Sequence, residues 1–128
     1  MAYLEHANIT VADPRATAAM LSDVFGWTTR WEGAAINGGF TVHVGSARSY
    51  LALYAGPNGS AKQTTHDDSY ARKGGLNHIG VVVDDLDAIE QRVSALGFEP
   101  HSHADYEPGR RFYFYDHDGV EIEVISYT

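Results

Sequence analysis

Residues 112–124, with the sequence FYFYDHDGVEIEV, are typical of two β-strands joined by a tight turn. Side chains alternate between the faces of a strand, so Glu121 and Glu123 share one face and the apolar residues between them share the other. A three-residue loop would place Tyr113 opposite Glu123 on that face, symmetric about Asp118, whereas a two-residue loop would turn Tyr113 away. We expect Glu121, which lies next to the turn, to be more solvated than Glu123.

The chain upstream of this hairpin indicates the same order of elements twice. A strand, a helix and three further strands are predicted in each half. Asp13 and Gly26 are the predicted start and end of the first helix, and Gly97 ends the second. His6 in LEHANITV and His78 in LNHIGVVV occupy the same place in the first strand of each half. The predicted strands are residues 3–11, 27–33, 40–46, 49–55, 76–83, 98–103, 110–116 and 120–127, and the predicted helices are residues 13–26 and 84–97.

This repeated order predicts an α+β fold built from two βαβββ modules, each too small to bury its sheet alone. Module one covers residues 1–56 and module two covers residues 75–128. The polar residues 57–74, with glycine near both ends, are predicted to be a linker. We expect the two modules to form a single domain over residues 1–128.

The composition excludes several classes of function. There are 17 acidic residues against 9 Lys and Arg, a net charge of -8, which argues against nucleic acid or an anionic membrane as a partner. The absence of cysteine excludes disulfides, thiolate metal ligands and a cysteine nucleophile, and it fits a reducing compartment. The sequence has no signal-peptide pattern and no apolar run long enough to span a membrane. We therefore expect a cytoplasmic protein.

Three polar side chains stand on strand faces that the helices are not expected to cover. Strand alternation places His6, His78 and Glu123 on the faces opposite the apolar ones. Two imidazoles and one carboxylate are a ligand set preferred by octahedral divalent metals, with positions left open for substrate or oxygen. A lone histidine or glutamate in a strand is more often structural or solvated, but the matching places of the two histidines favour a metal site.

Other polar residues permit weaker interpretations. His43 is interpreted as structural, and His66, beside two aspartates in the linker, as solvated. His101 and His103 lie at alternate positions and are candidates for an acid or base at the lip of a site. The neighbouring Arg110 and Arg111 would either hold an anionic substrate or balance the acidic surface, and the second reading is favoured. His117 is expected to be exposed in the turn.

The two histidine strands together with FYFYDHDGVEIEV resemble the vicinal oxygen chelate superfamily over nearly the whole chain. This superfamily includes glyoxalase I, extradiol ring-cleaving dioxygenases, fosfomycin-resistance enzymes and bleomycin-resistance proteins. The resemblance implies a cupped eight-stranded mixed sheet with helices on its outer face. It implies metal-ligand positions at His6, Ala52, His78 and Glu123, of which Ala52 cannot bind a metal. The alanine argues against a glyoxalase I reaction, in which a fourth ligand at this position takes part in proton transfer.

The remaining set of two histidines and one glutamate is similar to that of extradiol dioxygenases and fosfomycin-modifying transferases. The resemblance to the dioxygenases implies that Tyr113 hydrogen-bonds a substrate oxygen and that His103, next to the family's second-sphere histidine position, moves a proton. Iron(II) or manganese(II) is the favoured metal, with zinc(II) or nickel(II) as alternatives.

The sequence thus predicts a divalent-metal-dependent enzyme that acts on a small oxygen-chelating substrate, most like an extradiol-type dioxygenase. The alternatives are a glyoxalase-type lyase or isomerase, a thiol transferase, or a non-catalytic ligand-sequestering protein like those of the bleomycin-resistance branch. The resemblance also implies a homodimer. It leaves open whether one chain or two complete the metal site.

Overall fold

The computed structural model describes residues 1–57 and 66–128, with residues 66–68 described by their backbone alone. The chain divides into two compact units, Met1–Lys62 and Gln63–Thr128. Each unit contains one four-stranded mixed sheet and its own helices. The predicted α+β class and the repeated βαβββ order are therefore confirmed. The single domain over residues 1–128, made of modules 1–56 and 75–128, stays a prediction.

Unit 1, Met1–Lys62, contains a helix packed on one face of its sheet. The sheet order is β1-β4-β3-β2, with β1 parallel to β4 and the other pairs antiparallel. Asp13 caps the helix by accepting hydrogen bonds from the Arg15 and Ala16 amides, and Gly26 ends it at φ 73°. The elements are β1 (His6–Thr10), α1 (Pro14–Phe25), β2 (Thr28–Ala35), a 3-10 turn (Ile36–Gly38), β3 (Gly39–Gly45) and β4 (Tyr50–Ala55).

Unit 2, Gln63–Thr128, repeats this arrangement and adds a short helix before its first strand. Its sheet order is β5-β8-β7-β6, with β5 parallel to β8. The core beneath the sheet includes Val93 of the long helix and Phe112, Phe114 and Val124 of the strands, all fully buried. The elements are α2 (His66–Ala71), β5 (Ile79–Val82), α3 (Leu86–Ala95), β6 (His101–Tyr106), β7 (Gly109–Tyr115) and β8 (Glu121–Ser126).

The strand registers of the two units match. In unit 1, Ala52 of β4 pairs with His43 of β3, and in unit 2, Glu123 of β8 pairs with Tyr113 of β7. The strand that runs parallel to β4 begins at His6, and the strand that runs parallel to β8 begins one residue after His78. The backbone therefore makes Ala52 the repeat equivalent of Glu123, as the sequence predicted.

The turn between β7 and β8 has the geometry that places Tyr113 opposite Glu123. Tyr113 pairs with Glu123, and the Asp116 amide donates to the Val120 carbonyl across the turn at 3.0 Å, so the hairpin is symmetric about Asp118. The Asp116 carboxylate accepts hydrogen bonds from the Asp118 and Val120 amides, both at 2.9 Å. Burial raises the pKa of the Asp116 carboxyl, and these amides offset part of that effect. The Asp116 side chain thus stabilises the three-residue loop through two hydrogen bonds.

A β-bulge in β6 changes which residues share a face. His101 pairs with Tyr113 but Ala104 pairs with Arg111, so β6 contains one extra residue between them. Ser102 lies at the bulge with φ 56°. His101 and His103, although two positions apart, therefore do not share a face, because the inserted residue turns the strand after His101.

The short helix α2 lies within the stretch that was predicted to be a linker without secondary structure. The chain then turns tightly, with the Gly75 amide donating to the Arg72 carbonyl at 3.1 Å. A Cβ on Gly75 would overlap the Ser69 carbonyl, so only glycine allows the chain to return so close to α2. The side chains of His66 and its two aspartate neighbours lie outside the described residues. No helix within residues 1–57 or 66–128 is long and apolar enough to cross a membrane.

Candidate functional site

Two carboxylates of β8 contact one histidine in unit 2. His78 Nε2 lies 3.2 Å from Glu123 Oε1, and His78 Nδ1 lies 3.3 Å from Glu121 Oε1. The histidine comes directly before β5, which pairs in parallel with β8, so the imidazole stands beside the two carboxylates. Strand alternation puts both carboxylates on the same face. The predicted ligands His78 and Glu123 are therefore neighbours.

The contact between His78 Nε2 and Glu123 Oε1 requires a proton or a metal ion between the two atoms. Glu123 Oε1 carries only lone pairs when the carboxylate is ionised, and Nε2 of a neutral imidazole protonated on Nδ1 also presents a lone pair. The pair is attractive when a proton or a metal ion lies between the nitrogen and the oxygen. In an octahedral site with bonds of about 2.1 Å, adjacent donor atoms are about 3.0 Å apart, close to the 3.2 Å observed here.

Glu121 is more enclosed than the sequence predicted. Its side chain is 9% exposed, against 13% for Glu123, so the expectation of a solvated Glu121 is wrong. One oxygen accepts a hydrogen bond from the Tyr70 hydroxyl at 2.5 Å and the other accepts one from the Tyr115 hydroxyl at 3.3 Å. These tyrosines cover the carboxylate, which explains its burial near the end of the strand.

Arg111 and Tyr113 hold the second oxygen of Glu123. Arg111 Nη1 donates to Glu123 Oε2 at 3.0 Å, and the Tyr113 hydroxyl donates to the same oxygen at 3.2 Å. The Arg111 side chain is 12% exposed, and its buried Nε has no hydrogen-bond partner in the described part of the chain. Burial, followed by the nearby Glu123 charge, raises the pKa of the Tyr113 hydroxyl. This leaves Glu123 Oε1 as the oxygen that faces His78.

Tyr70 connects α2 to this cluster. Its hydroxyl lies 3.1 Å from His78 Nδ1 and donates to Glu121. The hydrogen bond to Glu121 is the main cause that raises the pKa of Tyr70 to about 12, with burial contributing next. The phenol therefore stays protonated over the physiological range. Nothing in the sequence marked Tyr70, since it lies in the stretch predicted to be a linker.

His6 stands in a row of rings on the sheet of unit 1. Its ring stacks on Tyr50 at 4.9 Å between centroids, and Tyr50 stacks on His43 at 4.6 Å. Glu5 Oε1 contacts His6 Nδ1 at 2.9 Å. Burial, followed by the His6 and Arg30 charges, lowers the pKa of His43. Unit 1 therefore has aromatic residues where unit 2 has hydrogen-bonded carboxylates.

Of the two catalytic predictions, only Tyr113 lies beside Glu123. His103 Nε2 contacts Glu90 of α3 at 2.9 Å, because the bulge directs this side chain toward the helix. The ring of His101 instead stacks on Tyr115 at 4.7 Å and lies 6.3 Å from that of Tyr113.

Two side chains of unit 2 have the chemistry and spacing to contribute to a metal site. Among the side chains of residues 1–57 and 69–128, no group of three His, Asp or Glu is close enough to hold a metal ion. His78 and Glu123 supply two adjacent donor atoms, and their other polar atoms are held by neighbouring side chains. Such outer contacts are typical of residues that bind metals. The two residues fit a divalent ion that takes further ligands from elsewhere.

Comparisons with known proteins identify relatives of similar size. A family model described as the Glyoxalase/Bleomycin resistance protein/Dioxygenase superfamily matches residues 3–124. A search of curated proteins finds no match.

Solved structures with this fold come from several bacteria. A glyoxylase/bleomycin resistance protein/dioxygenase domain from Frankia sp. EAN1pec has 18% identity and a TM-score of 0.80, and the match covers 98% of each chain. The fosfomycin resistance protein FosX from Listeria monocytogenes, complexed with manganese(II) and sulfate, has 22% identity and a TM-score of 0.74, covering 100% of this chain and 94% of FosX. TnmS3, an antibiotic binding protein from Streptomyces sp. CB03234, has 18% identity and a TM-score of 0.74, covering 100% and 98%. At these identities the structures show a shared fold.

The enclosed ion pair between Arg111 and Glu123 predicts a large effect of one substitution. We expect Arg111→Met to lower the free energy of unfolding of the metal-free protein by about 3 kcal/mol, because Glu123 loses its enclosed partner. Urea unfolding followed by circular dichroism measures this change. The control is Arg110→Met, which breaks an exposed pair with Asp87 and is expected to cost less than about 1 kcal/mol. Equal losses in the two variants would contradict the expected role of Arg111.

Proposed function

Because the chain belongs to the Glyoxalase/Bleomycin resistance protein/Dioxygenase superfamily, we propose that it is a divalent-metal-dependent enzyme acting on a small oxygen-chelating substrate. We propose His6, His78 and Glu123 as the metal ligands. The observation that carries the proposal is the 3.2 Å contact between His78 Nε2 and Glu123 Oε1, which brings two potential ligand atoms to about the spacing of adjacent ligands in an octahedral site. Manganese(II) or iron(II) suits this ligand set, and zinc(II) or nickel(II) would also accept it.

The residues around Glu123 have separate tasks in this proposal. A bound divalent ion supplies Lewis acidity toward two neighbouring oxygens of a substrate. Arg111 and Tyr113 keep Glu123 Oε2 engaged, so the carboxylate offers Oε1 alone. The Tyr113 hydroxyl, whose pKa is raised by burial, stays protonated, and in this proposal its one proton would turn from Glu123 Oε2 to a substrate oxyanion.

The narrower form of the proposal is an extradiol-type ring-cleaving dioxygenase. Tyr113 would then hydrogen-bond the oxygen of a catechol-like substrate. His101, rather than His103, would move the proton, because its ring lies beside Tyr113 and Tyr115. Its buried Nε2 has no hydrogen-bond partner among the described residues and is therefore available for a proton.

A ligand-sequestering protein is the second candidate function. One observation favours it: Ala52, which cannot bind a metal, stands in unit 1 at the repeat equivalent of Glu123. TnmS3 is a relative in fold that is described as an antibiotic binding protein. A sequestering protein would bind its ligand equally well with and without a divalent metal, which separates the two functions.

Metal analysis of variants tests the proposed ligands. We expect His6→Ala, His78→Ala and Glu123→Gln each to weaken manganese(II) binding by more than about 100-fold, because loss of a contact outside the ligand shell already costs about 10–100-fold. Isothermal titration of metal-free protein with manganese(II) measures the affinity. His117→Ala is the control, since this histidine is exposed in the turn. Unchanged affinity in the His78→Ala variant would exclude the proposed site.

Oxygen uptake tests the narrower proposal. We expect the iron(II)- or manganese(II)-loaded protein to consume oxygen when a catechol is added, and Tyr113→Phe to slow this uptake by about 100-fold, because one donor to the substrate oxyanion is lost. An oxygen electrode measures the rate. Tyr127→Phe, which changes an exposed tyrosine, is the control. If the metal-loaded protein consumes no oxygen with any catechol, the dioxygenase proposal is excluded. The lyase, transferase and sequestering functions then remain as candidates.

Mixing two inactive variants tests the proposed homodimer. If His6 of one chain completes the site of its partner, mixed His6→Ala and His78→Ala dimers contain one intact site. Random exchange of chains would then restore about a quarter of the metal sites. Manganese(II) titration after unfolding and refolding the mixture measures the recovery, and sedimentation equilibrium measures the mass. A dimer without recovery would place the whole site in one chain, and a monomer would exclude the homodimer.

A further inference from the structure

Tyr70 and Glu121 surround one nitrogen of His78 in unit 2. His78 Nδ1 lies 3.1 Å from the Tyr70 hydroxyl and 3.3 Å from Glu121 Oε1. The same Glu121 oxygen lies 2.5 Å from the Tyr70 hydroxyl. The three polar atoms therefore form a closed triangle on the side of the imidazole opposite Nε2.

The donors and acceptors around His78 favour one arrangement of protons in its neutral imidazole. Glu121, as a carboxylate, only accepts hydrogen bonds, so the Tyr70 hydroxyl proton points to it. The Tyr70 oxygen then presents lone pairs to His78, and Glu121 does the same. Both neighbours of Nδ1 are therefore acceptors, and a proton on Nδ1 satisfies both. Nε2 faces one acceptor, Glu123 Oε1, so the neutral imidazole gains more from a proton on Nδ1, and Nε2 then directs its lone pair at Glu123.

The backbone brings Tyr70 to this place through the tight turn after α2. The Arg72 amide donates to the Ser69 carbonyl, and the Gly75 amide donates to the Arg72 carbonyl. A Cβ at Gly75 would collide with Ser69, so the return of the chain toward β5 depends on that glycine. The turn allows a residue of α2 to contact a histidine only a few positions later.

We propose that Tyr70 and Glu121 are positioning residues, which hold His78 in the tautomer protonated on Nδ1 and aim its Nε2 lone pair at the place where a cation joins it to Glu123. The tautomer of His78 is a property of the metal-free protein and can be tested without a metal. The claim that this tautomer favours metal binding rests on the proposed function. Neither residue touches the metal in this arrangement, since His78 lies between them and the site.

Nuclear magnetic resonance of metal-free protein tests the tautomer directly. Two-bond proton–nitrogen correlations of histidine-labelled protein, at an alkaline pH where imidazole is neutral, identify the protonated nitrogen. We expect wild-type His78 to carry its proton on Nδ1. In Tyr70→Phe and Glu121→Gln the fraction protonated on Nε2 is expected to rise, because the first removes one acceptor and the second can donate an amide proton to Nδ1.

Manganese(II) titration of the same variants tests the consequence. We expect Tyr70→Phe and Glu121→Gln to weaken binding by about 10–100-fold, as for other partners of metal-binding histidines. Tyr54→Phe is the matched control, because it removes a tyrosine hydrogen bond to the Ile36 carbonyl in unit 1. This control is expected to leave both the His78 tautomer and the metal affinity unchanged.

The two measurements separate this inference from the proposed function. An unchanged tautomer in both variants overturns the positioning role whether or not metal binds. The positioning role is also overturned if Tyr70→Phe and Glu121→Gln change the tautomer but bind manganese(II) with full affinity, while His78→Ala loses that affinity. If wild-type protein binds no manganese(II), the proposed function fails, and a shifted tautomer still supports the positioning of His78 by Tyr70 and Glu121.

Discussion

The pairing register between β7 and β8 determines which polar side chains meet in unit 2. The turn held by Asp116 places Tyr113 directly across from Glu123, and Arg111, two residues earlier on the same face, reaches the same carboxylate. A shift of one residue would move each of these side chains to the helix-covered face. The register therefore decides both what Glu123 contacts and which of its oxygens faces His78.

Structural features that depend on residues close together in the chain could be predicted from the sequence. Asp13 and Gly26 cap the first helix as expected, because capping depends on a few neighbouring backbone groups. The hairpin register around Asp118 followed from a turn of few residues between two strongly alternating strands. The match between Ala52 and Glu123 followed from the repeat, since equal element order produced equal strand pairing in the two sheets.

Features that depend on distant contacts were not predictable. The bulge at Ser102 has no strong sequence signal, and it reversed the expected direction of His103. Glu121 was expected to be solvated because its burial comes from tyrosines outside its own strand, one of them in a helix that the sequence did not predict. A tyrosine in a polar stretch carries no periodic pattern, so Tyr70 could be recognised only from its contacts.

The shared backbone of the two sheets carries different kinds of side chains at equivalent positions. Tyr50 and Ala52 of β4 stand where β8 has Glu121 and Glu123, so one sheet presents stacked rings and the other presents hydrogen-bonded charges. Stacking depends on dispersion and shape, whereas the carboxylate cluster depends on charges and hydrogen bonds in an enclosed place, where dissolved salt screens them little. The first half of the repeat should therefore accept another ring of similar shape, whereas the second half accepts only replacements that keep its charges and hydrogen bonds, although the two follow the same strand order.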